Sequence, residues 1–211
     1  MEGQGMRLDT GFRPSKDGFG FANTWRDALL GLFKSRGRCG GMVFAALDAF
    51  AAGHPLAGEA TSPDLPPHDA DLSQLIWRRQ VDSVATRLGV NLWQFARFTY
   101  LPTRSSLGIA TATRRELLPL FDALRTGRPV PLGLVSAVGP MKLAANHQVL
   151  AYAADFGEKH VAIHIYDPNY PRRDDVTLVV PFTPAEPVVE RVGARRKIWR
   201  GLFVVHYCRQ M

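Results

Sequence analysis

Cysteine is scarce in this chain, as are lysine and long apolar runs. Two cysteines, Cys39 and Cys208, can form at most one disulfide, so a disulfide scaffold is excluded and free thiols are expected. The longest apolar run, residues 42–47, is far shorter than the roughly 20 residues of a membrane span. The N-terminus lacks a basic start and an apolar stretch, so no secretory signal is predicted. We therefore expect a cytoplasmic protein, or one exported by a signal-less route.

The overall composition is that of an ordinary globular protein. Hydrophobic residues make up 46% and charged residues 21% of the 211 residues, which excludes a disordered or collagen-like chain. The net charge of +7 permits a polyanionic partner without requiring one. The densest group of basic residues, within positions 191–200, accompanies no recognition motif, so we do not expect nucleic acid as a partner.

No motif for a cofactor or a metal is present. The segment Gly37-x-x-Gly40-Gly41 lacks the lysine and the preceding strand of a phosphate-binding loop. His160 and His164 have the spacing of metal ligands on a helix, but on a strand they lie about 13 Å apart. We therefore predict neither a cofactor nor a metal site.

Helical patterns dominate the first 127 residues, and strand patterns dominate the rest. Helices are predicted over residues 25–33, 42–52, 69–88 and 92–98, and from a capping box at Thr113 and Glu116 to near Gly127. Strands are predicted over residues 130–138, 147–154, 161–167, 176–180 and 198–207. Segregated helices and strands indicate an α+β fold with a largely antiparallel sheet. We expect one domain over residues 1–211, with an irregular N-terminus and a helical lobe in residues 1–127 and a sheet lobe in residues 128–211.

Cys39 occupies a position that favours a thiolate. It lies where a glycine-rich turn meets the start of a strongly apolar helix, and the free N–H groups there favour negative charge. Lys34, Arg36 and Arg38 add positive charge nearby, which lowers a thiol pKa. Gly40 and Gly41 are expected to leave room for a substrate carbonyl. The alternative is that Cys39 is a small buried apolar residue.

His147 and Asp167 are predicted to face each other across a hairpin. If residues 155–159 form the loop, Ala154 pairs with His160, and the same register pairs His147 with Asp167. Both would end an otherwise apolar face, which suits a site at the edge of a core; a slipped register would separate them. Alternatively, His147 bonds a backbone carbonyl and Asp167 initiates a turn before Pro168. A thiol needs a base and the base needs an orienting group, and this sequence offers each once.

These residues resemble a family. A cysteine at a helix start, a histidine on a strand and an aspartate on the next strand resemble the papain-like cysteine peptidases. Cys39-Gly40, the strand Asn146-His147-Gln148-Val149-Leu150 and Tyr166-Asp167-Pro168 more closely resemble the bacteriocin-processing, double-glycine leader peptidase branch. The resemblance spans residues 19–207. It implies a helical lobe with a central Cys-bearing helix packed on an antiparallel sheet lobe, and a Cys39 nucleophile, a His147 base and an Asp167 orienter.

The chain departs from this pattern at the oxyanion donor. Papain-like peptidases place a glutamine six residues before the cysteine, and that position is Phe33. The backbone N–H of Cys39 can still serve, and Asn23 is the candidate side-chain donor. The alternative for Asn23 is that it, or Thr24, caps the helix predicted at residues 25–33.

Three functions are therefore open. The first is a thiol hydrolase that cleaves peptide or amide bonds in a peptide or protein substrate through a thioester acyl-enzyme. The second uses the same triad with another acceptor, as a transglutaminase, acyltransferase or deamidase-type effector. The third is a catalytically inactive papain-like binding module, which Phe33 in place of glutamine favours.

Overall fold

The structure, a computed structural model, describes residues 6–29, 33–103, 105–136, 145–184 and 186–209. Its helices are α1 (Pro14–Asp17), α2 (Cys39–Ala52), α3 (Asp71–Tyr100) and α4 (Ile109–Arg125), with a 3-10 turn at Gly58–Thr61. Its strands are β1 (Arg7–Asp9), β2 (Arg26–Leu29), β3 (Phe33–Arg36), β4 (Val130–Val135), β5 (His147–Phe156), β6 (His160–Tyr166), β7 (Val176–Pro181), β8 (Val188–Val192), β9 (Arg195–Trp199) and β10 (Gly201–Val204).

Eight strands form one antiparallel sheet that curls on itself. Seven follow the order β10-β4-β5-β6-β7-β8-β9, and β1 also pairs with β5. Strands β9 and β10 stand at opposite ends of this order, although only Arg200 separates them in the chain. The two ends of the sheet therefore approach each other. The predicted α+β class with an antiparallel sheet is confirmed, and β1 joins that sheet from the N-terminal segment.

The helix predicted over residues 25–33 is wrong. Strands β2 and β3 pair there as an antiparallel hairpin, with Leu29 opposite Phe33 and Arg26 opposite Arg36. Gly31, inside the predicted helix, disfavours a helix by about 1 kcal/mol relative to alanine. Asn23 and Thr24 consequently have no helix to cap, and the capping interpretation of Asn23 is also wrong.

The buried helix predicted over residues 42–52 is confirmed as the body of α2, which begins at Cys39. A Cβ atom added to Gly41 would lie 2.0 Å from the carbonyl oxygen of Ile76, and one added to Gly40 would lie 2.1 Å from Ser83 Oγ. Both glycines therefore let α2 approach α3 closely. They do not open the first turn of α2 to a substrate, as the sequence suggested, because α3 occupies that space.

The two helices predicted over residues 69–98 form the single element α3. Gly89, the predicted stop, has a φ of 82°, so the chain turns there but continues as helix. The side chain of Asn91 donates to the Ser83 carbonyl at 3.0 Å and to the His206 carbonyl at 2.9 Å. These bonds tie α3 to the C-terminal segment across the interruption.

The capping box predicted at Thr113 and Glu116 is wrong, because α4 begins four residues earlier, at Ile109. Both side chains instead accept hydrogen bonds from β10. Leu202 N–H donates to Thr113 Oγ1 at 3.1 Å, and Val204 N–H donates to Glu116 Oε2 at 3.0 Å. Helix α4 thereby covers the free edge of β10, which would otherwise expose unpaired backbone groups.

The contact between α2 and α3 gives a stability prediction. Gly41→Ala should lower the free energy of unfolding by 1–3 kcal/mol or more, about the range for overpacking a core, because the added methyl group meets the Ile76 carbonyl. Urea denaturation monitored by circular dichroism measures this. Gly157→Ala is the matched control, since its nearest atom lies at 3.2 Å. Equal unfolding midpoints for the two variants would contradict the close approach of α2 and α3.

Candidate active site

The pairing of β5 with β6 differs from the predicted register. Near the hairpin Ala154 lies opposite Ile163, whereas further along Leu150 lies opposite Tyr166, with a bulge at Tyr152 between the two regions. His147 is therefore not directly opposite Asp167, and that prediction is wrong. The hairpin loop is shorter than expected, because Phe156 already pairs with Val161.

The bulge nevertheless places His147 and Asp167 on the same face. Continuing the pairing of Leu150 with Tyr166 sets Asp167 opposite Val149, two residues from His147, and side chains two apart on a strand share a face. Without the extra residue at Tyr152, Asp167 would lie opposite Leu150 and face the other side. The two side chains meet diagonally, within the reach of such neighbours.

His147 and Asp167 form a buried hydrogen-bonded pair. His147 Nε2 lies 2.8 Å from Asp167 Oδ1, and the exposed fractions of the two residues are 8% and 1%. The side-chain amide of Asn169 lies 3.0 Å from the same nitrogen, and the Asn169 backbone N–H donates to Asp167 Oδ1 at 2.8 Å. Because Nε2 is engaged, the other ring nitrogen, Nδ1, is left for the thiol.

Cys39 lies at the start of α2, beside the first residues of β5. The residue is partly exposed, and its thiol lies close enough to the ring of His147 and to the backbone N–H of Gln148 for both to lower its pKa. Arg38 does not serve the thiol as the sequence suggested. Its guanidinium donates to the Ser73 carbonyl at 2.7 Å and stacks on Trp25, on the side of α3. The side chains of Lys34 and Arg36 lie outside the described residues.

The three groups shift one another's pKa values toward an ion pair. Burial alone raises the pKa of the Cys39 thiol, but the charge and hydrogen bond of His147 and the Gln148 N–H outweigh it and lower the pKa below 9.0. Burial opposes the charged imidazole as well, yet Asp167 and Cys39 raise the pKa of His147 well above 6.5. Both shifts favour the thiolate and the imidazolium over the neutral pair, and the ion pair is the form that nucleophilic thiol chemistry uses.

Asn23 lies next to the residue that precedes Cys39. Its Oδ1 accepts the Arg38 backbone N–H at 2.6 Å, and the residue itself is buried. Gly37, with a φ of 98°, makes this approach possible, since a Cβ there would lie 2.4 Å from Asn23 Nδ2. Within the described residues Nδ2 has no hydrogen-bond acceptor, so this donor is available to a ligand. The side chain of Phe33 lies outside the described residues.

Three site residues escaped the sequence analysis. Asn169 contacts His147, the indole of Trp199 stacks on the His147 ring at 6.2 Å with an interplanar angle of 12°, and Glu190 is buried beside Asp167. Glu190 alternates with Val188 and Val192 on the inward face of β8. A carboxylate between two valines at that spacing was a readable signal, but β8 was not recognised as a strand.

Comparison with protein-family models, with curated proteins and with solved structures finds no match. Among the described residues, no group of three or more His, Cys, Asp or Glu side chains is placed to hold a metal ion. In the same part of the chain, no helix has the length and apolar character to cross a membrane. The interpretation of the site therefore depends on its own geometry.

The contact between His147 and Cys39 predicts selective thiol reactivity. Iodoacetamide should label Cys39 faster than the exposed Cys208 at pH 6–7, although Cys208 is more accessible. His147→Ala removes the charge and the hydrogen-bond partner that lower the Cys39 pKa most, and of the remaining influences only the Gln148 N–H lowers it, whereas burial and Asp167 raise it. Labelling of Cys39 should therefore require a higher pH in the variant, as followed by peptide mass spectrometry.

The exposed His160 provides the control for this experiment. His160→Ala should leave the labelling of both cysteines unchanged. A Cys39 labelling profile that is the same in the wild type and in His147→Ala would show that the thiol is not activated by the imidazole.

Proposed function

We propose that the protein is a cysteine hydrolase that acts on peptide or amide bonds through a thioester acyl-enzyme. The observation that carries the proposal is the contact chain from Cys39 through His147 to Asp167, two members of which are almost fully buried. A buried histidine that is hydrogen-bonded to an aspartate on one side and lies beside the thiol of a partly exposed cysteine on the other has the arrangement of nucleophile, base and orienter.

The arrangement is also consistent with the papain-like resemblance of the sequence. A helix carries the cysteine at its first residue, and the sheet packed against it carries the histidine at the start of β5 and the aspartate directly after the end of β6. We propose on this basis that the fold is papain-like, with the double-glycine leader peptidase branch as the nearest type. The residue six positions before Cys39, Phe33, belongs to the β2–β3 hairpin. We propose that Asn23, which lies beside the residue that precedes Cys39, takes the role of the glutamine.

In the acylation step, the Cys39 thiolate attacks the substrate carbonyl carbon, and a C–S bond forms as the carbonyl electrons move to oxygen. The Cys39 backbone N–H and Asn23 Nδ2 are the donors we assign to that oxyanion. When the oxyanion collapses, the C–N bond breaks, and His147 gives its Nδ1 proton to the leaving amine. Asp167 keeps the ring oriented throughout, because it holds Nε2.

In the deacylation step, neutral His147 takes a proton from the acceptor, which attacks the thioester. Attack by water releases a carboxylic acid and restores the thiolate and imidazolium. Attack by an amine instead transfers the acyl group, which is the chemistry of the transglutaminase or acyltransferase alternative. Because the same residues serve both acceptors, the two functions are distinguished by measuring which acceptor takes the acyl group.

The proposal is tested with p-nitrophenyl acetate, a small acyl donor that requires no known peptide specificity. We expect a burst of one p-nitrophenolate per protein and an acetyl group on Cys39 detectable by mass spectrometry, followed by turnover in water. Cys39→Ser should abolish the acetyl-thioester. Addition of an amine such as glycine amide then measures the partition between hydrolysis and transfer. Absence of the acetyl group from Cys39 in the wild type would support the inactive binding module instead.

Asn23 gives a second prediction of this proposal. Asn23→Ala should reduce turnover of p-nitrophenyl acetate by about 10²–10³-fold, the usual cost of one oxyanion donor. It should also destabilise the fold by about 1 kcal/mol, because the Arg38 amide loses its acceptor. Asn23→Asp separates the two effects, since it keeps an oxygen for Arg38 and lacks the N–H donor.

The exposed neighbour Thr24 supplies the control, and Thr24→Ala should match the wild type in turnover. We expect both Asn23 variants to lose turnover. Only Asn23→Ala should have a lower melting temperature, because it lacks the acceptor for the Arg38 backbone N–H. Wild-type turnover in a folded Asn23→Ala variant would reject Asn23 as the oxyanion donor and leave the Cys39 backbone N–H in that role.

A further inference from the structure

A second buried carboxyl group adjoins the triad. Glu190, on β8, is 2% exposed and lies within hydrogen-bonding reach of Asp167. Trp199 Nε1–H donates to Glu190 Oε2 at 2.7 Å. Two ionised carboxylates are both acceptors only, so they cannot hydrogen-bond to each other, and their charges repel strongly when buried. One of the two must therefore hold a proton.

The donors around each carboxyl group decide which one holds it. Asp167 accepts from His147 Nε2 and from the Asn169 backbone N–H, both at 2.8 Å, and donors of this kind stabilise the ionised form. Glu190 accepts only the indole N–H of Trp199 among the described donors. The proton therefore belongs on Glu190.

Building on the proposed function, we propose that Glu190 is a positioning residue: it stays protonated at neutral pH and donates its proton in a hydrogen bond to Asp167. This extends the chain to Glu190–Asp167–His147–Cys39. Glu190 also holds Trp199, whose indole stacks on the His147 ring. The imidazole is thus held by Glu190 through two routes, one through the carboxylate and one through the indole.

The other charged groups around Glu190 do not remove its proton. Burial and the charge of Asp167 raise the pKa of Glu190, and the Trp199 N–H, His147 and Lys197 lower it by less, so the net direction is upward. Lys197 lies opposite Glu190 on β9, but its ammonium lies over the Trp199 ring at 3.8 Å. Opposite Glu190 on β7 is the apolar Leu178.

A cavity of about 420 Å³ gives this region contact with solvent. Its lining includes Glu190 and Val192 together with the polar and cationic residues Tyr170, Arg195, Arg196 and Lys197. Proton exchange with Glu190 has a route through this cavity, while the carboxyl group itself stays buried.

The test is the pH profile of Cys39 alkylation by iodoacetamide in a Cys208→Ser background. Glu190→Gln is uncharged and nearly isosteric with the protonated acid, with an oxygen to accept from Trp199 and an N–H₂ to donate to Asp167. Its profile should coincide with that of the parent. Glu190→Ala removes both contacts through which Glu190 positions the imidazole, so the His147 ring is held less firmly beside Cys39 and stabilises the thiolate less. The acid limb of its profile, where the rate rises with pH, should shift to higher pH by about one unit. At a fixed pH on that limb the alkylation rate is then about tenfold lower.

The opposite result is equally definite. If Glu190 were ionised, Glu190→Gln would remove a negative charge near the site, and the acid limb would move to lower pH. That shift, or an unchanged profile in a folded Glu190→Ala variant, would overturn the proposal.

Infrared spectroscopy supplies a second readout that is independent of Cys39 and of the folding of Glu190→Ala. A carbonyl stretch of a protonated carboxyl group should be present in the parent at pH 7 and lost in Glu190→Gln. Its absence in the parent would reject the protonated Glu190 even if Cys39 is reactive. An unreactive Cys39 with the band present would instead reject the proposed hydrolase and leave the Glu190 assignment standing.

Discussion

The hydrogen bond between His147 Nε2 and Asp167 Oδ1, 2.8 Å long and almost fully enclosed, is the interaction on which the site depends. Two ionisable groups in such a setting are stable only as a satisfied pair, and removing one partner of a buried pair typically costs about 3–5 kcal/mol. Asp167 also accepts the backbone N–H of Asn169, which helps to satisfy the buried pair. The same bond leaves Nδ1 of the ring to the thiol, so the condition for stability is also the condition for reactivity.

Two features of the sheet make this bond possible. The bulge at Tyr152 shifts the register of β5 by one residue, so that His147 and Asp167 lie on the same face of the sheet. The curl of the sheet brings β8 and β9 back toward β5, so that Glu190 and Trp199 complete the enclosure. Because Gly40 and Gly41 have no side chains, helix α2 packs closely against β5 and α3, and this packing fixes the position of Cys39.

The sequence was most informative where chemistry and pattern coincide. A cysteine at a helix start and two ionisable residues at the ends of apolar strands identified Cys39, His147 and Asp167 because such placements serve stability poorly. The predicted register was wrong, because neither the short hairpin loop at residues 157–159 nor the bulge has a strong local signal. A register error of an odd number of residues moves a side chain to the other face of the sheet, and an error of an even number keeps it on the same face. Because of the bulge, the error near His147 is even, so His147 and Asp167 still share a face.

Other parts of the fold could not be predicted from local pattern. The β2–β3 hairpin was mistaken for a helix because residues 25–33 have helical spacing, and strand pairing depends on the partner rather than on the segment. Thr113 and Glu116 have the spacing of a capping box but bond β10, a partner nearly ninety residues away in the chain. Glu190 has the spacing of a strand face between Val188 and Val192, but a strand as short as β8 carries too little pattern to be recognised without its partner strands.

The central claim, a thiolate and an imidazolium held together near neutral pH, is tested most directly by the ultraviolet absorbance of the thiolate. The measurement is the pH-dependent difference between the Cys208→Ser protein and the same protein with Cys39→Ser. We expect thiolate absorbance to be present below pH 9.0, the ordinary thiol pKa, and to be lost only as acid protonates the pair. Absorbance that first appears at or above the ordinary thiol pKa would contradict the account.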